Sequence, residues 1–234
     1  MKNKSLAERV LSFLKTVQFN YRVFPVPVAR KLPVWVHYNV NVDSVSKGTV
    51  QIEAPKITKA MIQLGVNQSS PEVLNWAFPK GKKDGYLRIG PDSKLIFRGP
   101  AHIAKGFSLT ADDGGTIDIG AGLYANLNLF IEARRLVKIG DDCLFGWNVF
   151  LRDVDGHAVY SLDETKMRNE PKAIELGRHV WLSSETSILK GSQIPEDSIV
   201  AYHAVVTGKQ FQQKNLLIGG VPAQIIQENV TWKR

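Results

Sequence analysis

Between Leu176 and Val206 a six-residue template repeats five times without a break: LGRHVW, LSSETS, ILKGSQ, IPEDSI and VAYHAV, with Val206 opening a sixth unit. The first position is always aliphatic (Leu176, Leu182, Ile188, Ile194, Val200, Val206). The fifth is always small or β-branched (Val180, Thr186, Ser192, Ser198, Ala204). A helix would repeat its apolar face about every 3.6 residues and a half-buried strand every two, so neither explains a period of six. A short strand followed by a corner does. Three such sides close a triangular coil, and stacked coils make a β-solenoid.

The same frame is legible from Ile119: IGAGLY, ANLNLF and IEARRL, a two-residue slip at Val137-Lys138, then IGDDCL, FGWNVF and LRDVDG. Upstream, short pieces rich in β-branched residues, such as Val34/Val36, Val50/Ile52 and Ile62/Leu64, alternate with turn residues, as short strands should. The expected organisation is one structural unit with three parts: an N-terminal helix and arm (1–30), a solenoid (31–210) and a C-terminal tail (211–234). Two excursions leave the coil, at 67–85 and 152–171. The second is flanked by clean repeats, and functional residues concentrate in loops held by a rigid scaffold. The tail is expected to fold back along the prism or to reach a neighbouring subunit.

Residues 4–18 read as an amphipathic helix, with Leu6, Val10, Leu14 and Val17 on one face and Ser5 and Glu8 at capping-box spacing. The expectation is a helix laid across the end of the solenoid, shielding its terminal strand from edge-to-edge pairing. A helix lying on a membrane surface is the alternative.

Charge divides the chain. Residues 1–100 carry 16 Lys and Arg against 6 Asp and Glu, while residues 101–234 carry 14 against 16. The basic half suits acidic lipid or anionic polysaccharide, or simply solubility. Nucleic acid is not expected, because the aromatics sit at core-like positions and are not interleaved with Lys and Arg. The single cysteine, Cys143, excludes a disulfide framework and falls at an inward fifth position. No apolar run approaches a membrane span, and Glu8, Arg9 and Lys15 interrupt any signal-peptide core, which points to the cytoplasm.

His157 leads the candidates for chemistry. It follows Asp153, Asp155 and Gly156 where the second excursion leaves the coil, and an imidazole titrating near working pH suits a general base that carboxylates could orient. His179 and His203 do not match His157 in coil spacing, so no metal site is expected. The Asp-x-Asp-Gly start of a calcium loop lacks its downstream ligands.

These repeats and motifs resemble the hexapeptide-repeat acyltransferases, most nearly the polysaccharide O-acetyltransferases and the galactoside and maltose acetyltransferases. The resemblance implies a left-handed parallel β-helix, a hand opposite to the usual parallel crossover. Tyr124-Ala125-Asn126-Leu127-Asn128 resembles the family segment whose Asn contacts the acceptor hydroxyl, which implies that role for Asn126. Asn148-Val149-Phe150-Leu151 with Gly156-His157 resembles the segment bearing the catalytic base. Val180-Trp181-Leu182-Ser183-Ser184 and Val200-Ala201-Tyr202-His203-Ala204 resemble the walls of the acyl-CoA channel, and Val205-Val206-Thr207 a turn near the CoA nucleotide.

The candidate set is therefore His157 and Asn126 for catalysis, with Asp155 from its closeness to His157, and Trp181, Ser183, Ser184, Ala201, Tyr202 and Thr207 for acetyl-CoA, with Lys209 next to the position where the family's lysine is missing. Gly208, Gln224 and Gln227 stand where the family often has Lys and Arg. Also implied are a homotrimer with its site between subunits and a saccharide acceptor, whether sugar nucleotide, lipid-linked or polymeric. Peripheral contact with the inner face of the membrane is compatible with the basic half. An N-acyltransferase of an amino-sugar nucleotide and a catalytically silent scaffold are the competing readings.

Overall fold

A computed structural model describes residues 6–66, 84–163 and 165–233. The first turn of the solenoid is β1 (Val34–Val36), β2 (Val40–Val42) and β3 (Val50–Ile52); the second is β4 (Ile62–Leu64), β5 (Gly85–Ile89) and β6 (Lys94–Phe97). The third is β7 (Ala101–Ile103), β8 (Ser108–Ala111) and β9 (Thr116–Ile119), and the fourth β10 (Leu123–Ala125), β11 (Phe130–Ala133) and β12 (Leu136–Ile139). The fifth is β13 (Leu144–Phe145), β14 (Phe150–Arg152) and β15 (Ile174–Leu176), and the sixth β16 (Trp181–Leu182), β17 (Ser187–Leu189) and β18 (Gln193–Ile194). β19 (Ile199–Val200), β20 (Val205–Thr207) and β21 (Leu216–Gly220) continue the stack. Through β17 each strand pairs in parallel with the one three places later, and β19 pairs with β21, which makes three faces. We call the turn from first to second face the first corner, that from second to third the second corner, and the return the third.

The six-residue period resolves into strand and corner. The sixth and first positions lie on a strand, and the next three turn the chain. Outside IEARRL and LRDVDG the fourth has positive φ, from 55° at Asp142 to 80° at Gly122, and is filled by Asn128, Asn148, His179, Glu185, Asp197 and His203 as well as glycine. Asn, Asp and His are the non-glycine residues that tolerate this region best. The fifth residue then turns inward at a tight corner. Val180, Thr186, Ser198 and Ala204 are fully buried there, and Cys143 joins them as a core side chain. Fourth-position side chains also pin successive coils. Asn128 Nδ2 donates to Asn148 Oδ1 and Asn148 Nδ2 to Glu185 Oε1, both at 2.5 Å.

α1 (Leu6–Val23) runs five residues beyond its expected end and covers β1, but not with its apolar stripe. Ser12, Thr16, Phe19, Asn20 and Val23 are buried, whereas Leu6, Val10 and Leu14 are exposed. The reason is the edge of β1, whose backbone groups need partners. Ser12 Oγ accepts the Tyr38 N–H (3.1 Å), Thr16 Oγ1 accepts the Val36 N–H (2.9 Å), and Asn20 Oδ1 accepts the Val34 N–H (3.2 Å). Asn20 Nδ2 donates in return to the Val34 carbonyl (2.7 Å), and Thr16 Oγ1 to that of Val36 (3.3 Å). Four helical residues rise about 6 Å and two strand residues about 6.6 Å, so a polar side chain every fourth residue stays in step with every second strand residue. The Ser5 cap lies outside the described residues, as do residues 67–83 of the first excursion. A short helix, α2 (Val26–Ala29), leads into β1.

At the other end, β21 extends the first face past residue 210, and β22 (Ala223–Glu228) returns antiparallel to it. The tail then folds back along the prism. Trp232 stacks on His179, ring centroids 4.2 Å apart, and its Nε1–H donates to the His179 carbonyl (2.9 Å).

Candidate active site on two corners

The second excursion leaves β14 at the second corner. Its base is closed by Lys172 N–H donating to the Asp153 carbonyl (3.0 Å). Asp153 is fully buried, and its carboxylate accepts the backbone N–H groups of Arg134, Arg135 and Leu136 at 2.8, 2.8 and 2.7 Å. Both oxygens are thereby committed to holding the preceding coil. Asp155 is committed too: its Oδ2 accepts from Lys190 Nζ (2.6 Å) and Asn169 Nδ2 (2.8 Å). The Lys190 and Asn169 bonds hold its carboxyl below the usual aspartate range, against a smaller opposing effect of burial.

Neither carboxylate therefore orients the His157 imidazole, contrary to the expectation from the sequence. Asp155 acts on His157 indirectly. Asn169 Nδ2 bridges the Asp155 carboxylate and the His157 carbonyl (2.8 Å), while Asn169 Oδ1 accepts the Val159 N–H (2.7 Å). The His157 side chain is exposed, and its ring makes no hydrogen bond among the described residues. It borders a cavity of about 390 Å³ with Asp113, Arg134, Asp155, Met167 and Asn169. Asn169 and Lys190 are the residues sequence reasoning missed. Asn169 lies inside the excursion and Lys190 two hexads past its end, and beyond polarity neither position carried a signal in the sequence.

Asn126 lies at the first corner, anchored by Nδ2–H to the Phe145 carbonyl (2.9 Å), so its Oδ1 and second N–H remain for a ligand. On the coils above it lie Ser183 and Ser184, then Ala201 and Tyr202. The Ser183 N–H donates to the Val200 carbonyl (2.9 Å) and the Ala201 N–H to Ile218 (2.8 Å), so neither amide is available to an oxyanion. Ser184 Oγ accepts the Trp147 N–H (3.0 Å), while the Ser184 N–H makes no hydrogen bond among the described residues. Tyr202 is exposed.

The remaining positions lie elsewhere. Trp181 is on the first face, its ring 6.1 Å from Trp232. Thr207 ends β20 and Lys209 follows it at the second corner, where Lys209 Nζ donates to Gln224 Oε1 and lies 5.1 Å from the Phe211 ring centroid. Within one chain, Asn126 and the serines thus occupy the first corner, and His157, Asp155, Thr207 and Lys209 the second. Between the corners the second face presents the stacked rings of Phe130 and Phe150, 4.5 Å apart. The three histidines sit at three different corners. A larger cavity, about 490 Å³, runs along the third corner beside Gly120, Gly140 and Gly177 and contains none of the predicted residues.

No protein-family model matches the chain. Among curated proteins, it is 33% identical over 146 residues to a polysialic acid O-acetyltransferase of Neisseria meningitidis, covering 56% of this chain and 67% of that protein. The chain belongs to the hexapeptide-repeat O-acetyltransferase family. Two other members of the family match over less of their length. A polysialic acid O-acetyltransferase of Escherichia coli O1:K1 is 30% identical over 149 residues (64% of this chain, 45% of that protein). The galactoside O-acetyltransferase of E. coli K12 is 35% identical over 117 residues (49% and 55%). The chain thus spans about half the length of these two relatives. Family likeness extends to the fold. The crystal structure of the polySia specific acetyltransferase NeuO aligns with a TM-score of 0.51 at 24% identity, over 84% of this chain and 89% of that one. The architecture is that of the family's left-handed β-helix.

Proposed function

We propose that the protein is an acetyl-CoA-dependent O-acetyltransferase acting on a sugar hydroxyl in capsule, exopolysaccharide or lipopolysaccharide biosynthesis. The observation that carries this reading is the placement of a free amide and an anchored asparagine at one corner and an unencumbered histidine at the next. Acetyl-CoA would be a co-substrate, supplying the acetyl group as a thioester. The first corner fits it: the Ser184 N–H is unspent, and Ala201 leaves the neighbouring coil without bulk.

His157 takes the proton of the attacking hydroxyl and later returns one to the departing sulfur. Asn126 holds the hydroxyl in line, which removes part of the entropic barrier. The Ser184 N–H faces the negative charge that develops on the carbonyl oxygen. Asp155, through Asn169, fixes the backbone carrying the base.

Two corners of one chain do not meet, so the site is read as joining the second corner of one copy to the first corner of the next in a homotrimer. The finger at the tip of the excursion supports this reading, because Val159, Tyr160 and Leu162 stand exposed on it. Among the described residues no helix is long and apolar enough to cross a membrane. The reaction is placed in the cytoplasm, where acetyl-CoA is made. The test is thiol release from acetyl-CoA across sugar nucleotides and oligosaccharides. His157→Ala should lower turnover by about 10²–10⁴, and wild-type turnover in that variant would overturn the assignment.

A further inference from the structure

Among the described residues the outward face of α1 has no partner, and its chemistry identifies one. At about 100° per residue, Phe13, Leu6, Val17, Val10, Tyr21 and Leu14 follow one another around the helix without a charge between them. Val17 is half-buried, and the other five are exposed by 46–77%. Arg9 follows beyond Asn20 on one side, and Arg22 and Lys15 beyond Ala7, Gln18 and Leu11 on the other. Residues 1–31 contain seven Lys and Arg against one acidic residue, Glu8. Arg9, Arg22, Arg30 and Lys31 are exposed and form no ion pair among the described residues. An uncharged apolar stripe flanked by cations is the signature of a helix lying in a bilayer interface, held by apolar insertion and attraction to anionic headgroups. A stripe that merely packed the protein's own core would face β1, and here the polar ladder of Ser12, Thr16 and Asn20 occupies that side.

We infer that α1 docks the end of the prism on an anionic lipid bilayer, with the Leu6–Tyr21 stripe inserted among headgroups and the flanking arginines on lipid phosphates. The inference is independent of the acetyl-transfer reading, since none of these residues belongs to the proposed site.

The experiment is co-sedimentation of the full chain with vesicles of phosphatidylcholine alone or with about one third phosphatidylglycerol. Wild type should pellet with the anionic vesicles and stay in solution with the neutral ones. Arg9→Gln with Arg22→Gln should weaken partitioning about 25-fold, about fivefold per charge removed. Val10→Asp with Leu14→Asp should abolish it while leaving the melting of the solenoid unchanged, because neither residue touches the capping ladder. Wild-type protein that ignores anionic vesicles would refute the inference. So would a Val10→Asp/Leu14→Asp protein that still pellets, or one whose only change is loss of self-association by light scattering, which would make the stripe a contact between copies.

Discussion

The polar ladder between α1 and β1 makes a sharp energetic prediction. Thr16→Val keeps the shape of the side chain and removes both bonds to Val36, leaving a buried N–H and a buried carbonyl with no partner. An unsatisfied buried polar group costs about 1–3 kcal/mol, so the helix should bind its strand more weakly by roughly 2–4 kcal/mol. Asn20→Leu orphans the groups of Val34 in the same way. The two losses should not add fully, because both act through one helix and saturate once it detaches. A solenoid opens from its ends, and a global melt would blur the effect. The suitable assay is native-state hydrogen exchange. A weakening of about 2 kcal/mol accelerates exchange about 30-fold, and the Val34 and Val36 amides should show it while those of β14 and β17 do not. Leu14→Ala, on the outer face, should leave all of them within about 0.5 kcal/mol. If the Val36 amide of Thr16→Val exchanges within twofold of wild type, the ladder is not what holds α1, and the account of its inverted face fails.

Three further outcomes are expected. Burial pushes the His102 imidazole down to about 4, partly opposed by a hydrogen bond to the Val66 backbone. The unfolded chain takes up that proton near pH 6.5 and the folded one only near 4, so stability is full above 6.5 and falls as the pH drops towards 4. The loss is on the order of 3 kcal/mol at most, and urea melts of wild type and His102→Gln at pH 7 and 4.5 should separate it. Gly146→Ala would place a Cβ 2.5 Å from Ser184 N and 2.7 Å from Ser184 Oγ. Forcing those coils apart should cost about 1–3 kcal/mol and displace the amide proposed to face the oxyanion, lowering both melting temperature and turnover. Co-expressed His157→Ala and Asn126→Ala chains should recover about a quarter of wild-type activity if each site takes one corner from each of two copies; a mixture no better than either parent would place the whole site in one chain.

The solenoid was readable in the sequence because its period is local: each unit repeats a burial requirement, and the fifth-position residues Val180, Thr186 and Ser198 carry it. The face of α1 was not readable. Hydrophobic periodicity assumes that apolar residues go inward, but the end of a parallel stack offers unpaired N–H and C=O groups, and Ser12, Thr16 and Asn20 answer them better than leucine could. The surroundings of His157 were only half legible. Asp153 and Asp155 looked like partners for the imidazole because they are near it in sequence. Their real partners, the Arg134–Leu136 backbone and Lys190, are brought in by coil stacking from the coils before and after the excursion. That is also why Asn169 gave no sign of its bridging role.

The division of labour within each hexad has a further consequence. The fourth position is taken by the positive-φ turn and the fifth by the tight interior, so a regular first corner offers a ligand chiefly its second and third residues. At the first corner these are Gly146 and Trp147, Ser183 and Ser184, Ala201 and Tyr202, repeated at the strand spacing of about 4.8 Å. Such a corner works as a ruler with evenly spaced pairs of marks. A long, thin molecule lying along the axis can be read mark by mark, while a compact one meets a single pair. Specificity can then be rewritten two residues at a time without disturbing a coil.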